Sequence, residues 1–493
     1  MSALSETDNW ARVEELLAQD WRLLVDGELV PATGGRTYEV TSPVNGQRIA
    51  SVPDADAAQV EAAVRAAAAA FPEWRATDPM DRASLVLRMA DVVEAHIEDL
   101  ALLDAVDGGA PMAVMAGDVQ LAAAYCRYFA GLALEMKGYS LPSTSGAHFT
   151  VRQPYGVVAR IIPFNHPILF AVKTLATPLI AGNCVVLKPA EVTPLSALHL
   201  ARLLQDVFPP GVVQIVLGNG PEVPRALVRS PLVHRIGFTG SVPTGQHILR
   251  DAADSGVKEV SLELGGKNAL VAYPDADPEE VAAGAVQGMN FTWSGQSCGS
   301  TSRLVVHESI ADQVVAGIQR ILDKRTIGSP LDPTIDQGPL VSEQHYRRVL
   351  GHIATAVDEG AVVVTGGGRP EHLDRGYYVA PTVLDGIGPE STVAQQEIFG
   401  PVLSVIRWTD QDDPVAIANS VPYGLTASVY TNDVRRAHRV AQALDAGYVW
   451  VNETSKHYMG MPFGGFKSSG LGREESIEEL LSYTQTKSIN IVL

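Results

Sequence analysis

The sequence predicts an α/β fold built on parallel sheets. Three observations carry that expectation. Strand-like apolar runs alternate with helical ones from residue 157 onward, residues 54–150 show helical spacing, and 493 residues exceed what one ordinary core holds, so two or three packed units are expected.

The elements follow in order. Val60, Val64 and Phe71 keep helical spacing, as do Leu85, Met89, Val92 and Val93, and residues 121–136 continue the pattern. Residues 140–156 change to Ser, Thr, Gly and Pro followed by short extended runs, which fits a hairpin or arm between domains. Residues 157–162 read as a strand, 167–181 as a helix and 184–188 as a strand, and Thr193 can cap a helix with Pro194 at its first position. Strands over 212–217, 233–238 and 257–262, with intervening helices, complete a parallel series covered on both faces. A second α/β run starts near Asn268 and reaches about Asn452. The tail 483–493 alternates as one more strand, which needs a sheet to join, another subunit's included.

Composition excludes several function classes. Hydrophobic residues are 46% and charged residues 19%, so a sizeable core forms. The net charge of -19 opposes nucleic-acid partners and anionic membrane surfaces. Residues 1–10 lack the basic start and apolar run of a signal peptide. The apolar stretch 157–187 is broken by Arg160, Asn165, His166 and Lys173, so it reads as no membrane span. Three cysteines make no economical disulfide framework, and a cytoplasmic chain with reduced thiols is expected.

Several loops can carry chemistry. Gly237-Phe238-Thr239-Gly240-Ser241 ends a strand and opens a helix, where backbone amides favour a pyrophosphate; a plain tight turn explains it equally well. Lys188-Pro189-Ala190-Glu191 ends an earlier strand on the ligand side of such a sheet. Its carboxylate can accept from an adenosine ribose and would repel a 2′-phosphate; a solvated charge pair is the plain alternative. Cys184 lies in an apolar strand and Cys126 in an amphipathic helix, both as small buried residues. Cys298 lies instead in the glycine-rich Ser294-Gly295-Gln296-Ser297-Cys298-Gly299-Ser300, where amides can stabilise a thiolate or an oxyanion. Glu263, in Glu263-Leu264-Gly265-Gly266-Lys267, can be a general base or a surface ion-pair partner. Asn165, in Pro163-Phe164-Asn165-His166-Pro167, can donate to an oxyanion or cap the following helix. No His/Cys/Asp/Glu set has metal-ligand spacing, so no metal is expected.

Together and in this order, these motifs resemble the aldehyde dehydrogenase superfamily over nearly the whole chain. Glu397-Ile398-Phe399-Gly400-Pro401, Asn419 with Tyr423-Gly424-Leu425, and the run from Pro462 to Gly470 match it too. The resemblance implies a Rossmann-type NAD-binding domain at 1–133 and 152–262, an α/β catalytic domain at 263–468, and a small oligomerisation arm at 134–151 and 482–493. It implies Cys298 as nucleophile, Glu263 as general base, Asn165 with the Cys298 amide as oxyanion hole, and Glu474 as a second carboxylate that takes up a proton. Lys188 and Glu191 would hold the adenosine ribose, Ser241 the pyrophosphate, and Glu397 and Phe399 the nicotinamide end. Ile162, Pro163, Phe164, Gly220, Phe238, Gly240 and Leu264 would complete the cofactor contacts, with NAD preferred to NADP. Phe170, Lys173, Phe291, Trp293, His457 and Tyr458 fall where a substrate tunnel is implied. Phe164 and His166 depart from the Trp and Phe frequent in the family, while Asn165 is kept.

The expected reaction is aldehyde plus NAD+ and water to the carboxylic acid, through a thiohemiacetal and a thioester on Cys298. A CoA-acylating enzyme is the nearest alternative, and Glu263 weighs against it; a non-redox thiol esterase or a binding protein on the same scaffold is the other. The expected partner is a small aldehyde, with no nucleic acid or membrane, in a homodimer or homotetramer.

Overall fold

The computed structural model describes residues 5–492. Residues 1–4 of the acidic N-terminus and residue 493 of the tail strand lie outside the described residues.

The first helical stretch resolves into Ala57–Ala76, Pro79–Ala95, Ile97–Gly108 and Met112–Gly131. Their starts follow local chemistry. Asp56 accepts from the Gln59 amide, and Asp78 caps a helix with Pro79 at its first position. Helix Ile97–Gly108 is buried on nearly every side, and two of its buried residues are aspartates. Asp104 accepts from the amide of Ile168 at 3.0 Å and Asp107 from that of Leu195 at 3.1 Å. Two later helices, Pro167–Ile180 and Leu195–Leu204, are thus capped from a distant segment. This corrects the expected Thr193 cap: the N-cap residue is Pro194, which has no side-chain hydrogen bond to give, and the Thr193 hydroxyl turns to the Phe164 carbonyl.

The first sheet has eight strands. Its parallel centre runs Val213–Ile215, Cys184–Lys188, Val157–Ile161, Val233–Gly240 and Glu259–Leu264. Strand order reverses between Val157–Ile161 and Val233–Gly240, which opens a crevice at their carboxyl ends. Two edges are antiparallel additions that periodicity does not reveal. The hairpin Leu23–Val25/Glu28–Val30 closes one edge, and Gly470–Leu471, arriving from the far end of the chain, closes the other.

The second run, from Ala269–Ala272 to Tyr448–Val451, forms a seven-stranded sheet that is parallel except for Val362–Thr365. The tail strand Thr484–Val492 pairs antiparallel with Gly146–Pro154 of the same chain, and Ser140–Leu141 lies on the other side of that strand. Among the described residues, the outer edge of Thr484–Val492 pairs with nothing. No described helix is long and apolar enough to cross a membrane.

Candidate active site

The crevice is a cavity of about 1010 Å³ along the carboxyl ends of the first sheet. One end is set by the loop after Cys184–Lys188. The Lys188 ammonium donates to Glu191 at 2.8 Å. Burial would raise the Glu191 carboxyl, but Lys188 outweighs it and holds it below its ordinary value. The Tyr38 hydroxyl donates to the Glu191 carbonyl at 2.9 Å and fixes the loop. Tyr38 lies 153 residues away in sequence, so no local pattern signals it.

The middle passes the start of helix Val242–Ser255, whose N-cap Ser241 accepts from the Thr244 amide. Gly220, Phe238, Gly240 and Ser241 all line it. An anion in this stretch meets the positive end of a 14-residue helix.

At the far end, Glu397 accepts from the Gly266 amide at 3.0 Å, and burial raises its carboxyl. A Cβ at Gly265 would lie 2.0 Å from that carboxylate, so the close approach requires glycine. Phe399 holds φ at 58°, unusual for a bulky side chain. Its carbonyl is held by Nε2 of His345, and its ring meets Phe164 edge-on at 5.7 Å. Burial lowers the His345 imidazole to about 4, so the ring is neutral and its Nε2–H donates. Arg348 donates to the carbonyls of Glu397 and Ile398. His345 and Arg348 therefore belong to this wall.

Cys298, Glu263 and Asn165 line this same end, with Ile162, Pro163, Phe164, Phe170 and Leu264. The Ile162 amide donates to the Lys188 carbonyl, and that of Leu264 to Ser469. Cys298 is half-buried, whereas Cys126 and Cys184 are fully buried. All three thiols are pushed up to about 12, chiefly by burial, and the Glu263 and Glu397 carboxylates add to this at Cys298. Exposure, and no shift of acidity, separates Cys298 from the other two.

The Cys298 loop is pinned by its neighbours. Asn268 donates to the Cys298 carbonyl at 2.7 Å and to that of Ser300 at 2.9 Å. Ser294 donates to the Gly338 carbonyl, and Gln296 accepts from the Val341 amide. Gly295 has φ of 68°, and a Cβ there would meet the Gly400 carbonyl oxygen at 2.2 Å.

Glu263 is 5% exposed and neither carboxylate oxygen has a partner. Burial first, then repulsion from Glu474, raises its carboxyl well above the ordinary value. Asn165 is also buried, with its Oδ1 unpartnered. The helix after it is capped by Asp104 and begins from His166, so Asn165 does not cap it.

Glu474 sits behind this end and off the cavity wall. Arg160 holds it at 2.9 Å and Lys173 at 3.3 Å. Burial opposes its charge, yet the two cations keep the carboxyl below its ordinary value.

The expected substrate wall divides by exposure. Phe170 lines the cavity, Trp293 is half-buried beside His166, and His457 is exposed beside Phe463. Tyr458 is exposed, its hydroxyl donating to Glu453. Two placements are corrections. Lys173 is 3% exposed, with its ammonium held by Glu475 at 2.9 Å. Phe291 is 1% exposed, because the turn Phe291–Trp293 points it into the core beneath the second sheet.

With this geometry in view, comparison with known proteins is decisive. A model of the aldehyde dehydrogenase family matches residues 29–489. The chain belongs to that family. It is 44% identical to aldehyde dehydrogenase tropH of Talaromyces stipitatus, over 98% of this chain and 96% of that protein. An NAD+ complex of aldehyde dehydrogenase from Bacillus cereus superposes with a TM-score of 0.94 at 37% identity, covering 98% of each chain. The P. syringae indole-3-acetaldehyde dehydrogenase AldA, solved as a mutant with NAD+ and IAA, superposes at 0.96 with 36% identity, covering 99% of this chain and all (100%) of that one. This aldehyde dehydrogenase family member keeps Cys298, Glu263 and Asn165 on one cavity wall.

Proposed function

We propose that the protein oxidises an aldehyde to the carboxylic acid with NAD+ and water. The carrying observation is one continuous cavity with Lys188 and Glu191 at one end and Cys298, Glu263 and Asn165 at the other. The residues fit the cofactor: a carboxylate faces the ribose position, a helix N-terminus the pyrophosphate position, and Glu397 the second ribose. The solved relatives that are NAD+ complexes support the choice.

The chemistry follows from the side chains. Cys298 gives up its thiol proton to solvent, Sγ bonds to the aldehyde carbon, and the carbonyl double bond opens to leave an oxyanion on the oxygen. The Asn165 side chain and the Cys298 amide donate to it; losing one such donor costs ~10²–10³-fold in rate. NAD+ bound in the cavity supplies the acceptor for the hydride that the carbon gives up. The thioester left on Cys298 is then cleaved by water, whose proton goes to Glu263. An unpartnered carboxylate with raised proton affinity suits that step. Glu474, the second carboxylate, is paired twice, which favours action through its charge on Glu263 over uptake of the proton.

The same reading assigns the cofactor to segments 1–133 and 152–262, catalysis to 263–468, and assembly to the arm at 134–151 and 482–493. Exposed Tyr139, Leu141, Ile491 and Val492 on that arm support a homodimer or homotetramer. A cytoplasmic setting agrees with three free cysteines. The test is direct. Full-length protein, NAD+ and a panel of aldehydes should give the reduced-nicotinamide absorbance with one acid formed per cofactor reduced; no reduction with any aldehyde contradicts the reading.

A further inference from the structure

Asn165 lines the cavity, yet no hydrogen bond to its buried Oδ1 fixes the side chain. Its direction is set by the backbone on either side. Before it, the Ile162 amide donates to the Lys188 carbonyl at 3.1 Å and the Thr193 hydroxyl to the Phe164 carbonyl at 3.4 Å. After it, the chain enters helix Pro167–Ile180.

That helix does not cap itself. Its N-cap residue, His166, makes no capping hydrogen bond with its side chain, and Pro167 has no amide proton. Ile168 thus carries the first amide that the helix leaves open. Asp104, 64 positions earlier, accepts from it at 3.0 Å.

Asp104 is costly to keep where it is. It has no exposed surface, and its helix is buried at every position from Leu100 to Asp107. Burial pushes its carboxyl up to about 7. An apolar side chain would pack there without that cost. What the acid adds is a fixed acceptor for one amide, three residues beyond Asn165. Fixing that amide fixes where the helix begins, and with it the backbone that carries Asn165. Placement matters at this point, because a reacting group displaced by about 1 Å can cost ~10²-fold in rate.

Resting on the reading above, in which Asn165 donates to the oxyanion, we propose that Asp104 is a positioning residue for that donor. By capping helix Pro167–Ile180 at Ile168, from off the cavity wall, it holds the Asn165 side-chain amide on the oxyanion. The experiment is a double-mutant cycle read on the first turnover. Rapid mixing of the full-length protein with NAD+ and an aldehyde it oxidises gives the rate at which the first NADH forms. Asp104→Ala should slow that rate by about tenfold or more, with the affinity for NAD+ unchanged by titration. Asp104→Asn, whose Oδ1 still accepts from the Ile168 amide, should keep most of the rate. In an Asn165→Ala background, itself slower by ~10²–10³-fold, Asp104→Ala should add little, because a donor already removed cannot be misplaced. General damage to the fold would slow both backgrounds alike. Where Asp104→Ala fails to fold, Asp104→Val, which keeps bulk without an acceptor, carries the same comparison. Equal losses in the two backgrounds, a wild-type first turnover without the acceptor, or an Asp104→Asn as slow as Asp104→Ala overturns the proposal and leaves aldehyde oxidation intact. An Asn165→Ala variant as fast as wild type instead removes the oxyanion reading beneath it.

Discussion

The side-chain amide of Asn268 donates to the backbone carbonyl of Cys298 at 2.7 Å, so one buried residue sets the pose of the loop that presents the thiol. Its Oδ1 accepts from the Thr426 amide at 3.1 Å, which ties that loop to the second sheet. Asn268→Ala takes the partner from the Cys298 carbonyl and the Thr426 amide, and leaves the Ser300 carbonyl with only the Ser302 amide. It should cost ~2–3 kcal/mol of stability and lower kcat ~10–100-fold through a misplaced thiol, with NAD+ binding retained. Thermal melting, cofactor titration and turnover check this. Unchanged turnover would show that the loop holds its pose without Asn268.

Glu263 predicts a pH dependence of stability. Its folded carboxyl is raised by burial and by the Glu474 charge. The unfolded chain releases this proton near pH ~4.3, while the native state keeps it to higher pH. As pH climbs through that window the group therefore favours unfolding more and more. Glu263→Gln, which cannot ionise, should melt above the wild type at about pH 8 and lose that advantage at about pH 4. Calorimetry at both pH values reads the sign directly, and an equal difference at both would contradict it.

How much of this was legible in the sequence depends on how far apart the partners lie. Lys188 and Glu191 pair within one loop, and the Cys298 loop announces itself by its glycines. Tyr38 and Asn268 do not, since their work is done by hydrogen bonds to residues 153 and 30 positions away. The family resemblance implies Lys173 and Phe291 at the substrate tunnel. It does not say that Glu475 sits opposite Lys173, or that a tight turn rotates Phe291 inward. The strands Leu23–Val25 and Gly470–Leu471 are too short for alternation to show.

Cofactor choice turns on Glu191. Its carboxylate, held by Lys188, would face the 2′-phosphate of NADP+ with like charge. Wild type should therefore favour NAD+, and Glu191→Gln should shrink the NAD+/NADP+ ratio of kcat/KM by about tenfold. Equal efficiency with both cofactors in the wild type would refute the assignment.

The arm predicts assembly. Removing residues 485–493 strips Gly146–Pro154 of its long partner and deletes exposed Ile491 and Val492. Light scattering should find a dimer or larger species for the full chain and a smaller one after the deletion. A monomeric full chain at micromolar concentration would count against the proposed arm.

The central claim is that the acyl group passes through Cys298 and leaves by water activated at Glu263. Glu263→Gln is nearly isosteric and cannot accept the proton. Rapid mixing of this variant with NAD+ and an aldehyde should give a burst near one NADH per active site, followed by slow turnover. Intact mass taken at the end of the burst should show the chain heavier by the acyl group, and Cys298→Ala in the same background should remove both burst and adduct. Wild-type steady turnover in Glu263→Gln, or a burst that survives Cys298→Ala, would contradict the account.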